Sequence, residues 1–235
     1  MRLILFDIDG TLLWTDGAGR RAVGRALVLE AGTCGPLDTY RLDGKTDPQI
    51  VGDLLSLAGH PDAEDAERIA AVCARYVEIL EEELARAPGS TRVMPGILDL
   101  LAALEPHERD GAIVVGLLTG NLASGAKLKL QSAGLDPERF AVGAFGSDSR
   151  RRADLPAIAA QRAQHVTGQR FHGADVVIIG DTPSDVTCGA EIGAHSIGVA
   201  TGYYDLEALR ASGATHVFSS LADTGAVLNA LLPSS

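Results

Sequence analysis

Aromatic side chains are scarce in this chain of 235 residues: Phe, Tyr and Trp together make up 4%, with a single Trp. Proteins that grip single-stranded nucleic acid stack bases on several such rings, so this surface is poorly supplied for it. Positive charge is short as well. The 20 Lys and Arg stand against 31 Asp and Glu, a net charge of −11. Nucleic acid and anionic membrane are therefore not expected partners, because both need a positive field. The three cysteines, Cys34, Cys73 and Cys188, show no CxxC spacing, and their odd number argues against a disulfide framework. Cys73 falls within a helical apolar pattern and reads as core. The six histidines include no HxxxH or HExxH pair, so a histidine zinc site is not expected. No apolar run approaches the length of a membrane span. Asp7 and Asp9 interrupt the one apolar stretch near the N-terminus, so no signal peptide is expected and the default compartment is the cytoplasm.

Apolar residues are plentiful at 46%, enough for a sizeable core. The first of them, Leu3-Ile4-Leu5-Phe6, form a short run that ends at Asp7-Ile8-Asp9-Gly10-Thr11. The run predicts a buried strand and the break a loop at its C-terminal end. Two carboxylates one residue apart at the mouth of a buried strand raise each other's pKa unless a cation or a proton offsets them. A site that tolerates the pair has a metal, a proton-transfer role, or both.

Further strands are predicted at 112–118, 140–145, 176–179 and 196–200, with a weaker one at 215–218. Helical patterns lie between them at 96–104, 122–133, 153–166, 183–192 and 206–211. Strand alternating with helix gives βαβ units and an α/β, Rossmann-like parallel sheet covered on both faces. Residues 15–88 differ. Helices are predicted at 18–30, 47–58 and 63–87, with no strand between them. This block reads as a helical-bundle cap inserted into a core made of 1–14 and 89–235. Its entry and exit are turn-rich, at Thr15-Asp16-Gly17-Ala18-Gly19 and Pro88-Gly89-Ser90. Inserted after the first strand, it is placed over the sheet edge where ligands of open α/β folds bind, as a lid or as a fixed decoration.

The polar residues cluster after strands. Asp7 and Asp9 follow the first, Thr119-Gly120-Asn121 the second, and Gly180-Asp181-Thr182-Pro183-Ser184-Asp185 the strand at 176–179. In a parallel sheet all three turns leave the same edge and face one crevice. Asp7, Asp9 and Asp181 are hard oxygen ligands suited to magnesium. Thr119 offers a hydroxyl, and the turn and helix start after it offer backbone N–H groups, which makes an anion site for phosphate. A carboxylate can attack phosphorus, and a second one nearby can protonate the leaving oxygen and then activate water. Taken singly, each turn also reads as an ordinary helix cap. Their joint order after strands is what argues for a site.

At these residues the chain resembles the haloacid dehalogenase-like hydrolase superfamily. Asp-Ile-Asp-Gly-Thr at 7–11, Leu-Leu-Thr-Gly-Asn at 117–121 and Gly-Asp-Thr-Pro-Ser-Asp at 180–185 are similar to its first, second and fourth signatures, and the block at 15–88 stands where its type-1 cap does. The resemblance implies Asp7 as nucleophile, Asp9 as general acid and base, and Thr119, Gly120 and Asn121 around the phosphoryl group. It implies Mg2+ on Asp7, the Asp9 backbone carbonyl and Asp181, with Asp185 bound through water or in support. The lysine of the third signature is missing. Ser149-Arg150-Arg151-Arg152 occupies that region, and spacing to the next helix favours Arg152, with Lys127 and Lys129 as weaker candidates. Asp9 favours phosphate over halide chemistry, since halide leaves without an acid. The cap and the Pro95-Gly96 helix start look most like the phosphoglycolate phosphatase-like group. Within the cap, Gly44-Lys45-Thr46-Asp47 is either a substrate turn or a helix N-cap. Lys45 and Thr46 are its candidate specificity residues, and Lys45 would suit a second anionic group on the substrate. The expected partner is a small phosphorylated metabolite, and the expected state a monomer or weak homodimer. Two alternatives stay open: phosphoryl transfer to a sugar, as in β-phosphoglucomutase-like proteins, and a binding module that kept the fold without the chemistry.

Overall fold

The computed structural model describes residues 1–86 and 89–232. The end of the helix expected at 63–87, the exit turn at Pro88 and the chain end at 235 lie outside the described residues. In chain order the strands are β1 (Arg2–Phe6), β2 (Leu13–Trp14), β3 (Arg92–Val93), β4 (Ile113–Leu118), β5 (Val142–Ala144), β6 (Val176–Gly180), β7 (His195–Val199) and β8 (His216–Phe218). The helices are α1 (Ala18–Ala31), α2 (Asp47–Leu57), α3 (Ala66–Arg86), α4 (Ile97–Arg109), α5 (Ala123–Ser132), α6 (Leu155–Thr167), α7 (Pro183–Cys188), α8 (Leu206–Ala211) and α9 (Thr224–Leu231).

Six of the strands form one parallel sheet in the order β5–β4–β1–β6–β7–β8. Its central strands, past Arg2 at the start of β1, carry no polar side chain because successive side chains go to opposite faces and both faces are covered. Leu3, Leu5, Val176 and Ile178 pack with Leu155 and Ala159 of α6 on one side. Ile4, Phe6, Val177 and Ile179 pack with Ile97 and Leu100 of α4 and Val227 of α9 on the other. The fold is thus the Rossmann-like α/β sheet expected from the alternation. With β4, β1 and β6 adjacent and parallel, the turns after them leave one edge side by side.

The helical stretch between β2 and β3 buries a separate core. Ala22 and Leu27 of α1, Leu54 of α2, and Val72, Tyr76 and Leu80 of α3 form it. These α3 residues follow the four-residue spacing of one helix face. The chain leaves for this block and returns from it through a two-stranded antiparallel ribbon, in which Leu13 faces Val93 and Trp14 faces Arg92. Strands this short carry no periodicity, so the ribbon is not visible in the sequence. Other departures are local. Helix α4 runs through Pro106 to Arg109, past the expected end at 104. The helix expected at 183–192 stops at Cys188 and gives way to a 3-10 turn at Ala190–Ile192. Helix α9 was not expected. No helix among the described residues is long and apolar enough to cross a membrane.

Candidate active site

Asp7 directly follows β1 and is tied to the sheet by its N–H, which donates to the Ile179 carbonyl at 2.9 Å. Its side chain is buried, so ionisation costs solvation. Burial, together with the negative charges of Asp185 and Asp9, raises its pKa to about 7, against the pull of Arg152. Asp181, one residue past β6, sits at the same depth. Burial, with Asp185 and Asp7 adding repulsion, pushes its carboxyl well above the ordinary carboxylate range. Thr11 Oγ1 donates to it at 3.2 Å. Asp181 also explains Gly10. Gly10 adopts φ +82°, and a side chain there would run into the Asp181 carboxylate.

Asp185 lies on the first turn of α7. It accepts from the Thr182 N–H at 2.9 Å and the Thr182 hydroxyl at 2.7 Å, the reciprocal half of a capping box. This pairing reproduces the helix-cap alternative for Asp181-Thr182-Pro183-Ser184-Asp185 and still leaves Asp185 facing its neighbours. Oxygens of Asp7, Asp181 and Asp185 all come within 4.8 Å of one another. Three buried carboxylates, oxygen-only and mutually repulsive, fit a hard divalent cation. The Asp9 carboxylate is not part of that cluster.

Arg152 opens a 3-10 turn just before α6, and it is the arginine of 150–152 that enters the site. Its Nη2 binds Asp185 and approaches Asp7 Oδ1 at 3.2 Å. Burial works against its charge, but Asp185 and Asp7 outweigh it and keep the guanidinium protonated. Its Nε is buried without a hydrogen-bond partner, a costly state that an incoming anion would relieve. Arg150 and Arg151 turn elsewhere, to Glu64 at 2.7 Å and to Glu191 at 3.5 Å.

The opposite side of the crevice is built by β4 and α5. The Thr119 N–H donates to Ala144 across the sheet at 3.0 Å. Its hydroxyl oxygen accepts from Asn121 Nδ2 at 2.8 Å, leaving its own proton for another acceptor. Asn121 Nδ2 also reaches Asp9 Oδ2, at 2.8 Å. Lys129 joins this group, with Nζ at 2.6 Å from both Asp9 Oδ2 and Asn121 Oδ1. Lys129 is 4% exposed, and its place at the centre of the site exceeds the weight its sequence context suggested. The missed signal is its register: it shares the buried face of α5 with Gly125, Ala126 and Leu130, and a lysine on a buried helix face needs a partner.

These groups border a cavity of about 170 Å³ that the helical block closes, with Trp14, Tyr76 and Tyr203 among its walls. Lys45 borders it, but its ammonium is held within the block by Tyr40 Oη at 2.5 Å and Asp53 Oδ2 at 3.3 Å. Thr46 does not reach the cavity. It is fully buried, accepts from the Gln49 N–H as the N-cap of α2, and donates to the Arg150 carbonyl at 2.7 Å. Asp47, the last residue of the turn at 44–47, borders the cavity.

Comparison with known proteins bears on the fold and the family. No curated protein matches the sequence. Among solved structures, a hydrolase from Pseudomonas syringae superposes with TM-score 0.75 at 20% identity, covering 99% of this chain and 100% of its own. CbbY from Rhodobacter sphaeroides, in complex with phosphate, gives 0.74 at 22% identity, with 96% of each chain covered. A predicted phosphoglycolate phosphatase from Haemophilus somnus 129pt gives 0.68 at 18%, with 97% of each covered. At such identities these likenesses establish the shared fold. The family model for haloacid dehalogenase-like hydrolases matches residues 4–190, a span that takes in Asp7, Asp9, Thr119, Arg152, Asp181 and Asp185, and the chain belongs to that family.

Proposed function

We propose that the protein is a magnesium-dependent phosphatase that hydrolyses a small phosphomonoester, phosphoglycolate-like in size, through an aspartyl-phosphate on Asp7. The observation that carries this reading is the division of labour around Asp7-Ile8-Asp9. Asp7 faces a buried arginine with an unpaired Nε, while Asp9 turns to Lys129 and Asn121. In the first step an Asp7 oxygen bonds to phosphorus, and Asp9 gives its proton to the departing substrate oxygen as the P–O bond breaks. In the second, Asp9 takes a proton from water, whose oxygen attacks phosphorus and releases Asp7 and phosphate. Arg152, the Thr119 hydroxyl and the Gly120 N–H offset charge on the other phosphoryl oxygens, with Asn121 bracing Thr119 and Asp9 beside them. Asp7, the Asp9 carbonyl, Asp181 and Asp185 would hold Mg2+, which when bound supplies a further positive charge to the phosphoryl oxygens. In this reading residues 15–88 act as the cap over a core of 1–14 and 89–235, and the partner is a small phosphorylated metabolite met in the cytoplasm.

A panel of phosphomonoesters, assayed for released inorganic phosphate with magnesium and with EDTA, tests the proposal. Release from at least one small ester, abolished by EDTA and restored by magnesium, is the expected result. No release from any member overturns it, and a sugar phosphate that is isomerised without phosphate release would replace hydrolysis by transfer.

A further inference from the structure

The turn that follows β4 does not stand on the core alone. Three consecutive amides at the start of α5 find side-chain acceptors. The Asn121 N–H donates to Thr119 Oγ1 at 3.3 Å and the Ala123 N–H to Ser147 Oγ at 3.3 Å, both within the sheet domain. Between them, the Leu122 N–H donates to Asp47 Oδ2 at 2.8 Å, and Asp47 belongs to the helical block. Asp47 returns a second bond, its own N–H donating to the Gly120 carbonyl at 2.7 Å. The contact is close on both sides. A side chain at Gly120 would collide with the Lys45 carbonyl, and one at Gly146 would collide with the Gly120 carbonyl and press on Thr46. The turn Thr119–Leu122 is thus held between residues 45–47 of the block and residue 146 of the core.

The charge of Asp47 suits the place. It lies in the first turn of α2 and accepts from the N-cap amide of α5, so one carboxylate meets the positive ends of two helix dipoles. Leu122 itself offers α5 no side-chain cap. Burial lifts the Asp47 carboxyl to about 6, against the lowering effects of Lys129 and the Leu122 N–H. The group is therefore kept where ionisation is costly.

We infer that Asp47 is a positioning residue that completes the phosphate-binding turn only when the helical block is seated. It does so by bonding Leu122 N–H and Gly120 C=O, and so couples closure of the cavity to the placement of Thr119 and Asn121. Through Asn121, which holds Asp9, the same contact reaches the proton donor. The inference rests on the phosphatase reading for its consequence but not for its geometry.

Two arms test it. Amide hydrogen exchange, read without substrate, should show Leu122 exchanging at least about tenfold faster in Asp47→Ala than in the unmodified protein, the loss of one buried bond. The Asp7 amide, bonded to the Ile179 carbonyl of β6, should be unchanged. Asp47→Asn keeps an acceptor oxygen and should restore protection to within about threefold. Should Asp47→Ala fail to fold, Asp47→Ser is too short to reach Leu122 and carries the same test. With p-nitrophenyl phosphate and magnesium, the Ala or Ser variant should lose about tenfold in kcat, and Asn should recover most of it. Unchanged Leu122 exchange in the Ala or Ser variant overturns the coupling, as does an exposed Leu122 amide with kcat intact. An unmodified protein that hydrolyses no phosphomonoester would sink the phosphatase reading instead, and the exchange arm would still decide the role of Asp47.

Discussion

The two aspartates of Asp7-Ile8-Asp9 stand one residue apart and live in different surroundings. The Asp7 side chain is 8% exposed, among two more carboxylates and an arginine. The Asp9 side chain is 40% exposed to the cavity and fixed by one lysine and one amide. The exit from the strand creates the difference: Asp7 directly follows β1 and stays buried at the sheet edge, while Asp9 lies two residues further into the loop, where the chain turns sharply at Gly10. A nucleophile needs a fixed place and a cation to lower the charge of what it attacks. A proton carrier needs access to the leaving group and to water. The contrast teaches that two carboxylates this close in sequence can each be given their own cation, Arg152 for Asp7 and Lys129 for Asp9, which is the separation that the proposed nucleophile and proton carrier need.

The largest effect should come from breaking the nucleophile. Asp7→Asn removes the attacking oxygen and should lower turnover by at least about 10³-fold, with thermal stability kept or raised because a buried charge is removed. Steady-state assay with a melting curve checks this, and residual turnover near the original would move the nucleophile elsewhere. A smaller effect is expected on the other side. Lys129→Met keeps the length of the side chain and removes the charge that holds Asp9, so kcat should fall roughly 10- to 100-fold with KM little changed. An equal rise in KM would mean that Lys129 serves substrate binding instead. The smallest effect sharpens the comparison through stability. The folded-state pKa of Asp47 lies above its unfolded value, so its ionisation costs stability as pH rises from about 4 to about 6. Asp47→Asn should match the unmodified protein in denaturant midpoint at pH 4. At pH 8 it should exceed it by on the order of 1–2 kcal/mol, after allowance for partial exposure. A variant destabilised at pH 8 would reverse the sign assigned to that carboxylate.

Much of this was legible in the sequence, and for identifiable reasons. Apolar runs ending in polar turns mark strands and their C-terminal edges, so the parallel sheet and the convergence of Asp7, Thr119 and Asp181 follow from pattern alone. Arg152 was separable from Arg150 and Arg151 by its distance to α6. What pattern does not carry is pairing between distant segments. Lys129 sits on a helix whose apolar face is thin, so its burial shows only once α5 lies against the sheet and Asp9 faces it. Asp47 reads locally as part of a helix start, and its second task depends on a turn far along the chain. Lys45 borders the cavity, yet its ammonium is occupied by Tyr40 and Asp53, neighbours that its own spacing does not announce.

The ribbon of β2 and β3 has a consequence for how such a protein can diversify. Because Trp14 and Arg92 are paired, the chain departs from and rejoins the sheet domain at one point, whatever lies in the excursion between them. The entropy of closing a flexible excursion grows only with the logarithm of its length, about 0.6 kcal/mol for each doubling. Insertions or exchanges of helices within it would therefore tax the sheet domain little, while redrawing the wall that a substrate meets. The ribbon is a socket: it fixes where the excursion joins the sheet domain, so its helices can change as long as the Asp47 contact with the turn at Gly120 and Leu122 is kept.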